Sequence, residues 1–421
     1  MIKRLIFACF VLFPELIVSQ TAQDSAYLKT LSDSAFNLMY VNLDSARSLA
    51  TEVIHLAQEK GIFSYEMDSR LTLGYTWYGE YQFNKAVEIF MKGLEMARDK
   101  NAPQIETRFI NALAMVYEQT ADFGKALDYY KEGLILDRQL NDTAGISISL
   151  GNLANVYQEL GEIDSAISLQ KEAIFIREKR KDPKVHNNYS NLGTIYHQTG
   201  RYDLAIEYYL KGATLRDSLG EALLEAYNYG NLAALFSELK NHQKSIFYAE
   251  KAEAIFMKGD HLRELGTNYS LKGTEYQRVG DYTKAESLFK KAIEIHDKVE
   301  NPADKAVDLH NLGSLYADQG KLAQAIDYYQ KALELKEQNQ QENSKMITLV
   351  GLGDVLSKSG SYSRAEKLLL TGQKMAIEQS SLTQQLEAAE NLAAHYERIG
   401  NLTKAYSYQK EANILKDSSF N

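Results

Sequence analysis

The sequence predicts an all-α protein in which helix hairpins stack on one another to form a solenoid. One observation is an internal repeat of about 40 residues that runs through nearly the whole chain. Another is the scarcity of proline, with four prolines in 421 residues, which favours long uninterrupted helices. The length is the third, because a chain this long does not form one ordinary core unless it is modular.

Composition and charge set the class of partner. Apolar residues make up 45% of the chain and charged residues 24%, which suits a folded protein with a well-solvated surface. The formal net charge is −9 and the sequence has no basic run, so nucleic acid is not expected as the main partner. After the N-terminal segment, no apolar run approaches the length of a membrane span.

The N-terminal segment has the pattern of a secretion signal. Lys3 and Arg4 precede an apolar stretch, Leu5 to Val18, which Glu15 interrupts. Residues 1–22 are therefore predicted to be a signal peptide, cleaved near residues 19–22, which would make the mature protein periplasmic or extracellular in a bacterium. The alternatives are an uncleaved membrane anchor and a buried helix.

The single cysteine, Cys9, lies inside this segment. A lipoprotein signal would place its cysteine after the apolar stretch, so lipidation is not expected. The mature chain would contain no thiol, and hence neither a disulfide nor a cysteine metal site.

Nine repeats each carry three small residues at fixed spacing, which is what two helices need at a close crossing. The first small residues are Gly74, Ala114, Ala154, Gly193, Ala233, Gly273, Gly313, Gly353 and Ala393. The second, twelve residues later, are Ala86, Ala126, Ala166, Ala205, Ser245, Ala285, Ala325, Ala365 and Ala405. The third, seven residues further on, are Gly93, Gly133, Ala173, Gly212, Ala252, Ala292, Ala332, Gly372 and Ala412.

Other recurrent residues predict how each hairpin is built. Three residues after the first small residue stands an aromatic residue in eight of the nine repeats, expected to fill the space that the small residues leave. Turn glycines suited to a left-handed helix end follow at Gly161, Gly200, Gly280, Gly320, Gly360 and Gly400. Asp182 before Pro183, and Asn301 before Pro302, are interpreted as an N-cap followed by the first helical turn.

These residues resemble the tetratricopeptide repeat. The resemblance is clearest in the segment from Asn191 to Tyr196 followed by Gly200 to Ala205. The 40-residue period is longer than that family's usual repeat of roughly 34 residues, and is similar to the repeats of kinesin light chains and spindle-orientation adaptors. The resemblance implies a right-handed superhelix whose first helices line the concave face.

The resemblance also sets the predicted domain boundaries. Residues 63–416 are expected to form nine repeats in one solenoid domain, because a single repeat cannot bury its apolar face alone. Residues 23–62 keep the phase of the repeat but lose its aromatic residue, and are interpreted as a degenerate N-terminal capping repeat. Residues 417–421 are a tail.

No residue pattern predicts catalysis. The eight histidines are scattered, with no pair at ligand spacing. The segment from Gly145 to Ser149 begins like a nucleophile elbow but lacks the second glycine, and no phosphate-binding loop is present. Tyrosines of the packing position and of the turns, such as Tyr202, Tyr282 and Tyr362, are interpreted as core residues. The sequence therefore predicts no catalytic residue, no metal site and no cofactor.

One polar stripe is not explained by the core. We call the first helix of each hairpin its A helix and the second its B helix. Counted from the residue before the first small residue, which is leucine in eight of the nine repeats, offsets −5, −1, +2 and +6 share the side of the A helix opposite the core, which we call the A-helix face. Offset −1 is asparagine in five of nine repeats, the asparagine row: Asn152, Asn191, Asn231, Asn311 and Asn391. Further stripe residues in repeats three to five are Asn155, Asn187, Thr194, Gln198 and Tyr227.

Asparagine is a poor helix former, so its recurrence there calls for a reason. Its amide both donates and accepts, and a row of amides can bind an extended peptide backbone of any sequence, as the resemblance to longer-repeat proteins also implies. The alternative is that each amide bonds a neighbouring helix and fixes the stacking. Thr72, Ala112, Leu271 and Gly351 interrupt the row.

Two functions remain open at this stage. The first is an exported, non-enzymatic scaffold that binds a protein or peptide in its groove. The second is the sensory ectodomain of a membrane signalling protein like a histidine kinase, because the segment from Leu415 to Asn421 resembles the region that precedes the coiled coil, span and kinase of such proteins. Membrane contact would then come only from an uncleaved leader or from a span beyond this chain.

Overall fold

A computed structural model describes residues 23–220, 222–339 and 341–419, and within those residues the regular structure is helical throughout. The predicted leader, residues 1–22, lies outside the described residues. Helix α1 spans residues 23–38. The further helices are α2 (Leu43–Lys60), α3 (Phe63–Gly79), α4 (Phe83–Asp99), α5 (Pro103–Gln119), α6 (Phe123–Gln139), α7 (Thr143–Glu159), α8 (Ile163–Lys179), α9 (Val185–Gln198), α10 (Tyr202–Leu219), α11 (Ala222–Glu238), α12 (His242–Lys258), α13 (Leu262–Arg278), α14 (Tyr282–Lys298), α15 (Pro302–Asp318), α16 (Leu322–Gln338), α17 (Glu342–Lys358), α18 (Tyr362–Glu378), α19 (Leu382–Arg398) and α20 (Leu402–Ser419).

The helices follow one another as hairpins. Leu28 of α1 packs against Val53 and Ala57 of α2, and the nine hairpins from α3–α4 to α19–α20 correspond to the nine predicted repeats. Odd-numbered helices are the A helices and even-numbered ones the B helices. Two compact units can be distinguished, one up to Tyr208 and one from Tyr209 onward. The prediction of an all-α fold of stacked hairpins is confirmed.

The turns between helices adopt the left-handed conformation that the glycines predicted. All six predicted turn glycines have positive φ, from +69° at Gly200 to +86° at Gly360. Tyr81, Ala121 and Lys240 adopt φ of 60°, 58° and 56° at the equivalent position of other repeats. The repeat therefore requires this conformation even where no glycine relieves its steric cost.

One of the two proline predictions is confirmed. Helix α15 begins at Pro302, and the side chain of Asn301 accepts a hydrogen bond from the Asp304 amide. The other prediction is wrong, because α9 begins two residues after Pro183, at Val185. The Asp182 carboxylate accepts instead from the Lys184 amide at 2.9 Å, which closes a turn before the helix rather than capping it.

The first small residue makes room for a ring of its own B helix in the repeats of Gly74, Gly273 and Gly313. A Cβ at Gly74 would lie 2.1 Å from the ring of Phe90, and one at Gly273 would lie 2.6 Å from the ring of Phe289. Each ring comes sixteen residues after its glycine. The expectation that the aromatic three residues after the glycine fills this space is therefore wrong.

That nearer aromatic residue covers the end of the hairpin instead. Tyr117 stacks on Tyr129 of its B helix with ring centroids 5.7 Å apart, and the Lys125 ammonium lies 4.8 Å from the Tyr117 ring centroid. Repeat nine has the same arrangement. The prediction that the turn tyrosines are core residues is wrong for Tyr282 and Tyr362. They begin α14 and α18 and are 37% and 42% exposed.

Candidate functional site

Three amides of the asparagine row have no hydrogen-bond partner in the described part of the chain. They belong to Asn152 of α7, Asn231 of α11 and Asn311 of α15, and all three side chains are half-buried. A half-buried amide that lacks a protein partner has both its donor and its acceptor available. These three positions are the part of the row that can bind something else.

Other predicted residues of the first unit bond to one another. The Asn155 side-chain oxygen accepts from Gln170 at 3.1 Å and from Asn191 at 3.2 Å. Asn188, buried beneath them, donates to the Gln170 oxygen at 2.8 Å. This network joins α7, α8 and α9, so Asn155 and Asn191 support the packing of repeats three and four.

The remaining predicted residues of α9 lie apart from this network. Asn187 is exposed. Thr194 donates to the Ser190 carbonyl at 3.1 Å, and the Gln198 side chain accepts from Gln158 at 2.7 Å. In the second unit, Asn391 donates to the Glu387 carbonyl of its own helix at 2.9 Å. The structure thus places Asn391 and Thr194 in local bonds and Gln198 in a bond between repeats.

Tyr227 and Asn231 lie together at a cavity of about 490 Å³ in the second unit. The cavity is lined by Tyr227, Gly230, Asn231 and Ala234 of α11, Phe256 of α12, Arg263, Glu264, Thr267, Asn268 and Leu271 of α13, and Asp304 of α15. The Tyr227 hydroxyl donates to Glu264 at 2.8 Å, and its ring centroid lies 6.1 Å from that of Phe256. Partial burial, together with the bond to Glu264, raises the pKa of Tyr227 to about 12, so the phenol stays neutral.

A second cavity, of about 590 Å³, lies further along α11 and shares Ala234 with the first. It is lined by Ala234, Ser237, Glu238, Lys240, His242 and Arg278. Beneath it the fully buried Glu275 carboxylate accepts from Ser237 and Arg278, each at 2.7 Å, and lies 2.7 Å from His242 Nδ1. Two carboxylates thus balance the lysine and the arginine here.

Sequence reasoning missed a cavity on the A-helix face of the first unit. It measures about 210 Å³ and lies among α1, α3 and α5. Tyr75 and Thr72 contribute to its wall, and Arg108 and Asp68 form an ion pair beside it. The asparagine row is interrupted in these repeats, so no amide marked the position.

Sequence reasoning also missed a buried polar row one residue beyond offset −5, about 100° further round the A helix. It consists of Ser69, Ser149, Asn188, Asn228, Asn268, Asp308 and Thr348, all buried. Five of these residues bond the preceding B helix: for example, Ser149 donates to Asp137 at 2.8 Å, and Lys336 donates to Thr348 at 2.7 Å. The signal was present as recurring polar residues, but nothing in one sequence separates them from the exposed stripe beside them.

Asp308 is the charged member of this row. Its carboxylate accepts from Ser270 and lies 2.7 Å from His296 Nδ1. Burial raises the pKa of Asp308, and the hydrogen bonds from His296 and Ser270 oppose that rise. The described residues hold no group of three or more histidine, cysteine or acidic side chains that could bind a metal ion. Nor does any helix within them have the length and hydropathy to cross a membrane.

Comparison with known proteins agrees with this architecture. The chain resembles, in fold, a STAND protein with a tetratricopeptide-repeat sensor from Pyrococcus horikoshii, with 17% identity over 75% of this chain and 50% of that one, and a TM-score of 0.60. Aspartyl phosphate phosphatase F from Bacillus subtilis gives 12% identity, 83% and 93% coverage, and a TM-score of 0.55. Kinesin light chain-like repeats from Podospora anserina are 16% identical to this chain. That match covers 46% of this chain and 95% of that one, with a TM-score of 0.38.

Sequence comparison identifies the family. No curated protein sequence matches the chain. The tetratricopeptide-repeat model matches three segments, residues 106–179, 185–258 and 264–338, which together make up more than half of the chain. The matched segments contain Gly273 and four of the six predicted turn glycines, Gly161, Gly200, Gly280 and Gly320. The chain therefore belongs to the tetratricopeptide-repeat family.

Proposed function

We propose that this protein is a non-enzymatic scaffold that binds an extended protein or peptide segment on its A-helix face. The supporting observation is that Asn152, Asn231 and Asn311 place an amide mid-helix that bonds to no described part of the chain. Asparagine at such a position costs helix stability, and a ligand that uses the amide would account for that cost. An amide can pair with both the N–H and the C=O of an extended backbone, whatever its sequence.

The partner class follows from the same surface. The available groups are neutral amides, with a net charge of −9 on the chain as a whole, which suits a polypeptide better than a nucleic acid. Apart from these amides, the buried polar groups described in the previous section pair with one another in structural networks. The proposal therefore includes no catalytic residue and no cofactor.

The experiment measures binding and folding on the same samples. The partner is first isolated with the mature chain from an extracytoplasmic fraction. Its dissociation constant is then compared for wild type, for the triple variant Asn152→Ala, Asn231→Ala, Asn311→Ala, and for a control, Asn84→Ala with Asn413→Ala on B helices. Each lost amide leaves a peptide group unpaired, so the triple variant should bind at least about ten-fold more weakly and melt no lower than wild type. Equal affinity for triple variant and wild type would refute the proposal.

Export is part of the proposal and rests on residues 1–22, with their charged start and apolar stretch. The mature N-terminus should fall near residues 19–22 when the native protein is isolated and its first residues are sequenced. Recovery of the chain from the cytosol with Met1 in place would contradict export.

A sensory role is the second candidate. It is favoured by the STAND protein, whose tetratricopeptide repeats are its sensor and whose fold is matched over half of its length. In that case the A-helix face would bind the signal, and the output domain would lie beyond this chain. The reading frame after Asn421 separates the two candidates, since only the sensor requires a membrane span and an output domain there.

A further inference from the structure

The cavity beside Tyr227 departs from the repeat pattern at two positions. Five other repeats have a buried polar residue where repeat five has Phe256: Asp137, Arg177, Arg216, His296 and Lys336. Where five repeats have the asparagine of the row, repeat six has Leu271. Both exceptions replace a polar residue with an apolar one, and both line this one cavity.

The result is an apolar floor under an amide. Phe256 is 4% exposed, Tyr227 is 40% exposed, and Leu271 lies on the next A helix. Asn231, on the same wall, keeps its amide available for a backbone. An extended segment bound by that amide would direct one side chain in two towards the protein. The floor therefore suits a bulky aliphatic or aromatic side chain, whose burial stabilises the complex.

Charged residues at the rim of the cavity determine which charge is favoured beside that apolar side chain. Glu264 and Asp304 are half-buried, and neither pairs with a lysine or arginine in the described residues, although Asp304 lies 3.9 Å from His296 Nε2. Arg263 is exposed, so solvent screens its charge more strongly than theirs. The adjoining cavity is balanced by its own carboxylates. The electrostatic field of the Glu264 and Asp304 carboxylates in the cavity therefore favours a positively charged side chain of the bound segment.

We propose that this cavity is a specificity pocket for a segment with a bulky apolar side chain and, two residues away, a lysine or arginine. Residues two apart on an extended chain face the same side, roughly 7 Å apart. The apolar side chain lies between Tyr227, Phe256 and Leu271, and the cation lies beside Asp304 and Glu264. This inference rests on the proposed function, since Asn231 holds the backbone of the same segment.

The test uses short blocked peptides as probes of the cavity. They are acetyl-Ser-Phe-Ser-Lys-Ser-amide, the same peptide with Glu for Lys, and the same peptide with Ala for Phe. Binding to the full chain is followed by NMR chemical shifts up to millimolar concentration. The Phe–Lys probe should bind roughly ten-fold more tightly than the Ala–Lys probe, and several-fold more tightly than the Phe–Glu probe.

Two variants locate the binding. Leu271→Asn introduces the residue that five other repeats carry at this position, so it should keep the fold and remove the preference for Phe. Asp304→Asn should remove most of the preference for Lys over Glu. The control is Tyr406→Ala, which changes a tyrosine on α20 that is 74% exposed and should leave all three affinities unchanged.

The outcomes are decisive for this pocket. Failure of every probe to bind, or equal binding of the Phe and Ala probes, would overturn the proposal. Equal binding of the Lys and Glu probes would overturn the preference for a positively charged side chain beside Asp304 and Glu264. The probes report on one cavity, whereas the asparagine-row experiment uses the whole partner, so failure of the pocket can be distinguished from failure of the proposed function.

Discussion

At the scale of single residues, asparagines on the same helix face differ in whether they bond to the rest of the protein. Asn155 accepts hydrogen bonds from both Asn191 and Gln170, and so joins two repeats. Asn152, a neighbour on the same face, bonds to nothing in the described chain. The stacking interpretation therefore applies to Asn155 and Asn191, and the ligand-binding hypothesis concerns the members without a protein partner in the described chain.

This division predicts opposite effects on stability. Asn155→Ala should lower the free energy of unfolding by about 1–2 kcal/mol, because it removes the acceptor of the Asn191 amide and one of the two acceptors of the Gln170 amide. Asn152→Ala should leave stability unchanged or raise it slightly, because alanine is the better helix former. Chemical denaturation of the two single variants measures both. Equal destabilisation would mean that Asn152 is structural as well.

Lys336 is a buried cation with no carboxylate partner among the described residues. Its ammonium donates to the Ser344 carbonyl at 2.8 Å and to Thr348 at 2.7 Å, and burial lowers its pKa to about 8. In the unfolded chain a lysine keeps its proton up to a pH near 10.4. Between these values the unfolded state binds more protons, so Lys336 makes stability rise with pH.

Replacing Lys336 tests this sign. At pH 7, Lys336→Met should be stabilised relative to wild type, because it removes a buried charge. That difference should shrink by about 2–3 kcal/mol by pH 10. Denaturant titrations at several pH values measure it, with Lys374→Met, at an exposed lysine, as the control. A difference in stability that stays constant with pH would show that burial does not lower the pKa of Lys336.

At the scale of the helix hairpin, the first small residue controls how closely the two helices pack. Gly74 has the ring of Phe90 directly above its Cα, whereas a Cβ at Gly230 of α11 would meet nothing within 4 Å. Both glycines lie inside A helices, so their intrinsic helix propensities are the same. Their substitution separates packing from propensity.

Gly74→Ala should therefore destabilise and Gly230→Ala should stabilise. The first forces Phe90 to move at a cost of about 1–3 kcal/mol, more than the better propensity of alanine returns. The second gains about 0.5–1 kcal/mol. Thermal melting of the two variants gives the comparison. Melting temperatures that shift in the same direction would contradict the packing described for Gly74.

The hairpins could be predicted from sequence because their signals are local. Turn glycines such as Gly280 adopt the expected positive φ, since a left-handed helix end is a property of a few adjacent residues. The partner of each small residue could not be predicted, because Phe90 lies sixteen residues from Gly74 and the nearer Trp77 was an equally good candidate. Spacing shows that a close crossing exists, but not which side chain it accommodates.

At the scale of the whole molecule, sequence predicted the face but not the cavities on it. Tyr227 and Asn231 were identified by their phase on the helix, and both line the cavity of the second unit. Phe256 was missed, because it belongs to a B helix and contributes from below. A cavity forms where side chains from several helices leave a space unfilled. The periodicity of a sequence does not show which side chains from different helices meet.

The partner is proposed to bind the A-helix face. The most direct measurement incorporates a photocrosslinking amino acid at one position at a time and irradiates the chain with its isolated partner. Crosslinks should form from Thr267 and Val307, which lie on A helices, and not from Ile135 and Phe175, which are 57% and 65% exposed on B helices. Crosslinks only from the B-helix positions would contradict the claim.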